Sequence, residues 1–250
     1  MSNLANKNIV ITGASSGIGR QIAIEASKNG ANVILVARSK DKLEETKSAM
    51  EQGNHFVCPF NVTDFNLIDN LVDEISAKAG MISGFVHSAG IESTIPLRNM
   101  KAQIYEDLFK VNVVAALEFA RSISRKKRVN PEGASFVFIS SVMGSLGKEG
   151  KVGYCASKAA LTSSIKAMAL ELCNKKIRCN VILPGIVQTE MVKRMFESLP
   201  ESAVSEIIKN HPMGIGSPDD VADLAVFLLS GKSKWITGSE IVIDGGYSAQ

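Results

Sequence analysis

A chain of 250 residues that is 45% hydrophobic and 21% charged has the make-up of a packed globular protein, which excludes general disorder. Its net charge of +3, from 28 basic residues against 25 acids, sets up no field that would make nucleic acid the default partner. No stretch approaches the roughly 18 apolar residues of a membrane span, no secretory leader is visible, and four scattered cysteines and three histidines outline neither a disulfide framework nor a metal site, so a reduced, cytoplasmic protein is expected.

Short β-rich runs alternate with segments of helical length along the whole chain. The runs Asn8 to Thr12, Val33 to Ala37, His55 to Cys58, Gly84 to His87, Phe136 to Ser140, Arg178 to Leu183 and Glu240 to Ile243 read as strands. Several are almost continuously apolar, as strands covered on both faces must be. The pattern predicts an α/β protein with a doubly wound, seven-stranded parallel sheet of Rossmann type, with helices on both faces. No linker or composition break divides it, so residues 1–250 read as a single domain.

At the end of the first strand comes Thr12-Gly13-Ala14-Ser15-Ser16-Gly17-Ile18-Gly19. Glycines there permit a tight turn, a close backbone approach and tight helix–sheet packing, and the helix start suits a pyrophosphate. Where an acid after the second strand would hold an adenosine ribose, the chain has Ala37 and Arg38, which favours the 2′-phosphate of NADP(H). Further on, Arg125-Lys126-Lys127-Arg128 reads either as a solvated helix C-terminus or as a docking patch for an acidic carrier.

Tyr154 and Lys158 follow, one helical turn apart. A tyrosine, with a pKa of about 10, acts as an acid/base near neutrality only if something lowers it, and an ammonium about 4 Å away at an effective dielectric of about 20 contributes roughly 4 kcal/mol. That is enough to bring the phenol close to pH 7, so Lys158 is expected to depress Tyr154. Between Thr189 and Gly216, Met191, Met195, Phe196, Leu199, Ile207 and Ile208 alternate with charges; a mobile lid over a substrate and an ordinary pair of amphipathic helices fit equally. Ser217-Pro218-Asp219-Asp220 then has the form of a capped helix start, with the stop at Ser230-Gly231.

Together these residues make the chain resemble the short-chain dehydrogenase/reductase family. The glycine-rich turn, Asn112, Ser141, Tyr154-x-x-x-Lys158 and Pro184-Gly185-x-Val187-x-Thr189 stand in the family's order and spacing, and the likeness runs from Thr12 to Ile243-Asp244-Gly245-Gly246. The resemblance implies that Ser141 binds a substrate carbonyl and Tyr154 gives it a proton. It further implies that Lys158 lowers the tyrosine pKa and holds the nicotinamide ribose, and that Asn112 holds a water linking Lys158 to solvent. The cofactor would meet Gly13, Ser15, Ser16, Gly17, Ile18, Gly19, Arg38, Asn61, Val62, Ser88, Ala89, Gly90, Tyr154, Lys158, Pro184, Gly185, Val187 and Thr189.

Two departures stand out. His87-Ser88 replaces the paired asparagines common before Ala-Gly in the family, so the amide's support of the central strand is expected to be lost, and Asn61 replaces a common aspartate. His87 reads as structural and Cys155 as a packing residue. Within the family the nearest likeness is to 3-oxoacyl-[acyl-carrier-protein] reductases, which implies an NADPH-dependent reduction of a ketone, a carrier-bound or small carbonyl substrate, acyl carrier protein as a partner and a homotetramer of D2 symmetry. The alternatives are a dehydrogenase of a sugar, polyol, steroid or other small alcohol, and a dinucleotide sensor with little turnover. The substrate pocket is expected from the loops Ser93 to Met100 and Met143 to Lys151 and from the segment 189–216.

Overall fold

The computed structural model describes residues 4–197 and 199–249. In chain order these form β1 (Asn8–Thr12), α1 (Gly17–Lys28), β2 (Asn32–Ala37), α2 (Lys40–Ser48), β3 (Phe56–Pro59), α3 (Ile68–Ala79), β4 (Ile82–His87), α4 (Ala102–Phe109), a π-helical turn (Lys110–Val114) and α5 (Ala115–Ile123). Next come β5 (Ala134–Ile139), α6 (Val152–Leu172), β6 (Ile177–Pro184), α7 (Glu190–Glu197), α8 (Glu201–Lys209), α9 (Pro218–Leu229) and β7 (Glu240–Ile243). The strands join in the order β3-β2-β1-β4-β5-β6-β7, every pair parallel. The expected doubly wound sheet is therefore present.

Alternation along each strand divides the core into two layers. Val10, Ile34, Phe85, Phe136 and Phe138 face Phe119, Leu161 and Ile165 of α5 and α6. Their neighbours Ile9, Ile11, Val33, Leu35, Val86 and Ile182 face Ile22, Ala225 and Leu228 of α1 and α9. Phe85 anchors the first layer, stacked on Phe119 with centroids 5.9 Å apart and edge-on to Phe136 and Phe138. Each such side chain, fully buried, contributes roughly 2–3 kcal/mol. Because the chain leaves β1 for β2 and β3 and then returns to pair β4 with β1, the order reverses between β1 and β4, and the carboxyl ends of these strands open a cleft.

Several strand edges shift from the expected positions. β4 begins at Ile82, β5 spans Ala134–Ile139 and leaves Ser140 outside, and His55 precedes β3. His55 instead ties the loop to β2, its Nδ1 accepting from the Val33 N–H at 3.1 Å. The start of α9 is a reciprocal capping box, with Ser217 Oγ accepting from the Asp220 N–H and Asp220 Oδ2 from the Ser217 N–H, and the helix is capped at its end by Ser230.

The basic run follows the end of α5, and three of its four cations, Arg125, Lys126 and Lys127, are exposed there, as a solvated helix C-terminus would have them; Arg128 departs from that reading. Arg128 is only 5% exposed and donates from Nε to Asp73 at 2.6 Å and from Nη1 to Asp69 at 2.7 Å, while Arg125 reaches Asp69 at 3.0 Å. Two carboxylates of α3 draw the Arg128 guanidinium inward, while Arg125, half exposed, pairs with Asp69 at the surface and Lys126 and Lys127 stay solvated. Arg178 is likewise turned in, donating to the carbonyls of Leu228 in the last turn of α9 and of Ser230 and Ile236 after it. The segment 189–216 contains α7 and α8, neither with a buried residue, and its base is pinned where Gln188 N–H donates to the Gly216 carbonyl at 2.8 Å.

Candidate active site

The turn between β1 and α1 needs glycine for two separate reasons. Gly13 has φ +70°, and a Cβ there would lie 2.7 Å from the Ala89 nitrogen, so the turn packs directly on Ser88-Ala89. Gly17 has φ +54°, and its Cβ would meet Thr189 Cγ2 at 3.2 Å. Three segments far apart in sequence, 13–19, 88–90 and 184–189, thus border one space. The N-cap Ser16 makes no side-chain capping bond and no acid occupies the first turn of α1, leaving its N–H groups to an anion. Ser15 is half-buried and Ser16 exposed on this turn, and Ile18 packs towards the core.

Around this space the other expected residues take defined places. Arg38 is exposed at the end of β2, with Ser39 beside it capping α2. Asn61 closes its own turn, donating to Asp64 Oδ1 at 3.1 Å and accepting from the Thr63 N–H, and Val62 is buried beneath it. At the end of β6, Gly185 N–H donates to the Ile243 carbonyl next to Pro184, Val187 is buried, and Thr189 accepts from the Val192 N–H at the start of α7.

On the opposite wall, Ser141 follows β5 and its Oγ accepts from the Met143 N–H at 3.2 Å. Tyr154 and Lys158 come off α6, which is tied to the end of β5 because Ser140 Oγ donates to the Lys158 carbonyl at 3.1 Å. Lys158 is buried and donates from Nζ to the Ile139 carbonyl at 3.0 Å, 5.7 Å from the centre of the Tyr154 ring. A Cβ on Gly90 would lie 3.4 Å from Asn112 Oδ1 and 3.6 Å from Lys158 Nζ, which places all three together.

The electrostatics differ from the expectation. Burial pushes the Tyr154 phenol up to about 12; the hydrogen bond from Ser141 opposes this and the Glu92 charge adds to it. Burial also lowers Lys158 to about 8. The ammonium bonds to a carbonyl and not to the phenol, so desolvation decides the tyrosine and the depression expected from Lys158 does not prevail.

Asn112 also differs in detail. Its Nδ2 donates to the Ile91 carbonyl and to Ser157 Oγ, both at 3.0 Å, and its Oδ1 accepts from the Ile91 N–H at 2.8 Å. Both amide protons are used, so the side chain positions the loop after β4. His87 corrects another expectation: its Nδ1 lies 3.0 Å from Thr12 Oγ1, linking β4 to β1, so the histidine itself supplies the cross-strand support that was expected to be lost.

With this arrangement in place, the match to known proteins is decisive. A family model described as Enoyl-(Acyl carrier protein) reductase covers residues 13–248. The chain belongs to the short-chain dehydrogenase/reductase family. It is 34% identical over 246 residues to the 3-oxoacyl-[acyl-carrier-protein] reductase FabG of Thermotoga maritima, covering 97% of this chain and 98% of that one. It is 31% identical over 245 residues to the enzyme of that name from Buchnera aphidicola, covering 98% of each. Among solved structures it is similar to a dehydrogenase/reductase from Sinorhizobium meliloti 1021, with TM-score 0.91, 29% identity and 98% and 96% of the two chains covered. A short-chain type dehydrogenase/reductase from Mycobacterium marinum aligns with TM-score 0.89 and 28% identity over 99% of this chain and 97% of that one.

This short-chain dehydrogenase/reductase is an oxidoreductase that uses a nicotinamide dinucleotide. The site fits such a cofactor, because the glycine turn brings the 88–90 and 189 segments up against the start of α1, whose first turn has no side-chain cap and no acid and so offers N–H groups to a pyrophosphate. Sequence reasoning passed over one feature of the site: Lys151, one turn before Tyr154, forms an ion pair with Glu92. Opposite charges 59 positions apart carry no local signal, so only the fold could reveal them.

Proposed function

We propose that the protein is an NADPH-dependent reductase that turns a ketone into a secondary alcohol, with a 3-oxoacyl group on acyl carrier protein as the preferred substrate. The observation that carries the reaction is the convergence of Ser141, Tyr154 and Lys158 at the carboxyl end of the sheet. Bound NADPH supplies hydride to the carbonyl carbon. In this reading Ser141 Oγ–H donates to the carbonyl oxygen, and Tyr154 holds the proton that this oxygen takes as it becomes a hydroxyl. A phenol pushed up to about 12 is protonated at neutral pH, which suits reduction, whereas alcohol oxidation would need the phenolate. Lys158, lowered to about 8, can give up and regain a proton near neutrality. Arg38, with no acid at the end of β2, supports the preference for a 2′-phosphate.

The substrate reading rests on the 31–34% identity to the two named reductases. One observation favours a second reading, a small ketone or alcohol: the inward turn of Arg128 and Arg178 leaves a thinner basic rim for an acidic carrier. A homotetramer of D2 symmetry is supported by apolar exposure on α6 and near β7, where Leu170 is 78% and Trp235 is 96% exposed.

The test is NADPH and NADH oxidation with an acetoacetyl-carrier substrate and with a panel of small ketones, at low and high salt. Fast NADPH-dependent turnover of the carrier substrate that weakens with salt supports the proposal. Turnover of small ketones alone moves the assignment to the second reading. NADPH binding without turnover refutes both. Mass measurement in solution checks the assembly, and a monomer would refute the tetramer.

A further inference from the structure

The wall of the cleft beside Tyr154 carries a charged pair that the proton-transfer residues do not account for. Lys151, at the start of α6, donates to Glu92 Oε1, and both side chains are largely withdrawn from solvent, at 12% and 23% exposure. Glu92 is positioned from both sides: Asn112 grips the backbone of Ile91, and Thr94 Oγ1 donates to the same Oε1 at 2.8 Å. The Ile95 N–H donates to the Gly150 carbonyl at 2.8 Å, so the loop after β4 is latched onto the segment leading into α6.

This latch puts Lys151 Nζ 5.9 Å from the centre of the Tyr154 ring, nearly the same distance as Lys158 Nζ at 5.7 Å. Lys151, Tyr154 and Lys158 lie on one face of α6, spaced i, i+3 and i+7. An ammonium carries three donors, and the bond to Glu92 is the one side-chain hydrogen bond that Lys151 makes among the described residues. One bond to Glu92 leaves two of the three N–H groups available to an acceptor on a substrate held beside Tyr154.

We infer that Lys151, held by Glu92, is a specificity-determining residue: its free N–H groups receive a second carbonyl oxygen lying two carbons from the carbonyl that is reduced. The inference rests on the reading of this site as a 3-oxo reductase and adds to it which side chain reads the neighbouring carbonyl. Ser141 and Tyr154 act on the reacting oxygen, and a plain ketone would satisfy them equally. Lys151 is the group that tells a 1,3-dicarbonyl from a plain ketone, because only the former offers it an acceptor. Glu92 acts through Lys151, as a positioning residue that fixes where the ammonium stands.

The test compares two small substrates of equal chain length, ethyl acetoacetate and 2-heptanone, on the full-length protein with NADPH, reading the ratio of their kcat/KM values. Electronic activation by the ester is the same in every variant, so a change in the ratio reads the protein. In Lys151→Met the ratio should fall roughly ten- to hundredfold, the effect of a charge-assisted hydrogen bond, and Lys151→Arg should restore most of it. Lys151→Gln, which keeps length and polarity, should give an intermediate ratio and stands in for Lys151→Met if that variant does not fold. Glu92→Gln should lower the ratio less than Lys151→Met, since the ammonium is then present but loosely held.

A ratio unmoved by both Lys151→Met and Lys151→Gln overturns the inference, as does a wild-type protein that reduces 2-heptanone as readily as the ester or reduces neither. Lys151-dependent selection among small substrates, without turnover of the carrier substrate, leaves the inference standing and removes the acyl-carrier reading. Turnover of the carrier substrate with a ratio independent of Lys151 does the reverse.

Discussion

His87 Nδ1 and Thr12 Oγ1 lie 3.0 Å apart across the junction of β1 and β4, the point where the sheet reverses its order beneath the cleft. The ring is fully buried, and although it lies against the backbone of Val111 and Ala89, Nε2 has no hydrogen-bond partner among the described residues. Burial, reinforced by the Lys158 charge, lowers its pKa to about 3. His87 is therefore neutral while the protein is folded at neutral pH and serves the architecture, not proton transfer.

A pH dependence of stability follows. With a folded pKa of about 3 against an unfolded value of about 6.5, the unfolded chain binds the extra proton, so stability is complete above pH 6.5 and is lost as pH falls towards 3. Between pH 7 and pH 4 the protein should lose about 3 kcal/mol more than His87→Asn, which has nothing to titrate there. Urea midpoints across that range measure it, and parallel curves for the two proteins would contradict the role of the ring.

Lys158 should set stability against activity. Its folded pKa of about 8 lies below the ordinary 10.5, so burial of the charge costs stability at neutral pH, and its contribution improves as pH rises from 8 towards 10.5. Lys158→Met removes the buried charge and keeps the volume. We expect a gain of about 1–2 kcal/mol at pH 7, less than the full desolvation because the Ile139 carbonyl loses its partner, together with loss of turnover. Thermal melts and NADPH oxidation assays on the same sample would check both signs.

Tyr154→Phe removes the proton but keeps the ring. Turnover should fall by roughly 10²–10⁴-fold while NADPH binding, measured by cofactor fluorescence, is retained. Retained turnover would show that another group supplies the proton.

Arg38 is exposed, and α2 is capped by Ser39 without it, so its replacement should leave the fold intact. Arg38→Asp should lower the NADPH to NADH ratio of kcat/KM by about 10²-fold or more, since a charge-assisted bond is lost and a repulsion gained. An unchanged ratio would place the 2′-phosphate contact elsewhere.

Arg128 binds Asp69, Asp73 and the Ser122 hydroxyl at once, and its bonds hold the Asp69 carboxyl well below the usual carboxylate range. Arg128→Met should cost about 1–3 kcal/mol, a value discounted because Asp73 is exposed, and Arg128→Lys should recover little because an ammonium cannot fork between these partners. Because the Asp69 pKa is depressed, the stabilisation is present above about pH 4 and fades below it, so the difference between wild type and Arg128→Met should shrink in acid denaturation curves.

The sequence by itself determined what depends on near neighbours. Continuous apolar runs identified the buried strands, glycines at 13, 17 and 19 marked the turn before α1, and Ser217 with Asp220 wrote out a helix cap, because each needs only the stereochemistry of a few adjacent residues. The order and spacing of the glycine-rich turn, Asn112, Ser141, Tyr154, Lys158 and the 184–189 turn together sufficed to name the family. Tertiary structure alone decided which charges meet and how far each group is taken from water. Arg128 turned from a solvated cation into the centre of an ion network, Lys151 found Glu92, His87 found Thr12, and burial carried the Tyr154 phenol upward where the neighbouring lysine was expected to bring it down. Desolvation and pairing sum over atoms from every element packed around a site, and their partners stand 59 to 75 positions apart in the chain, a distance that no local pattern spans.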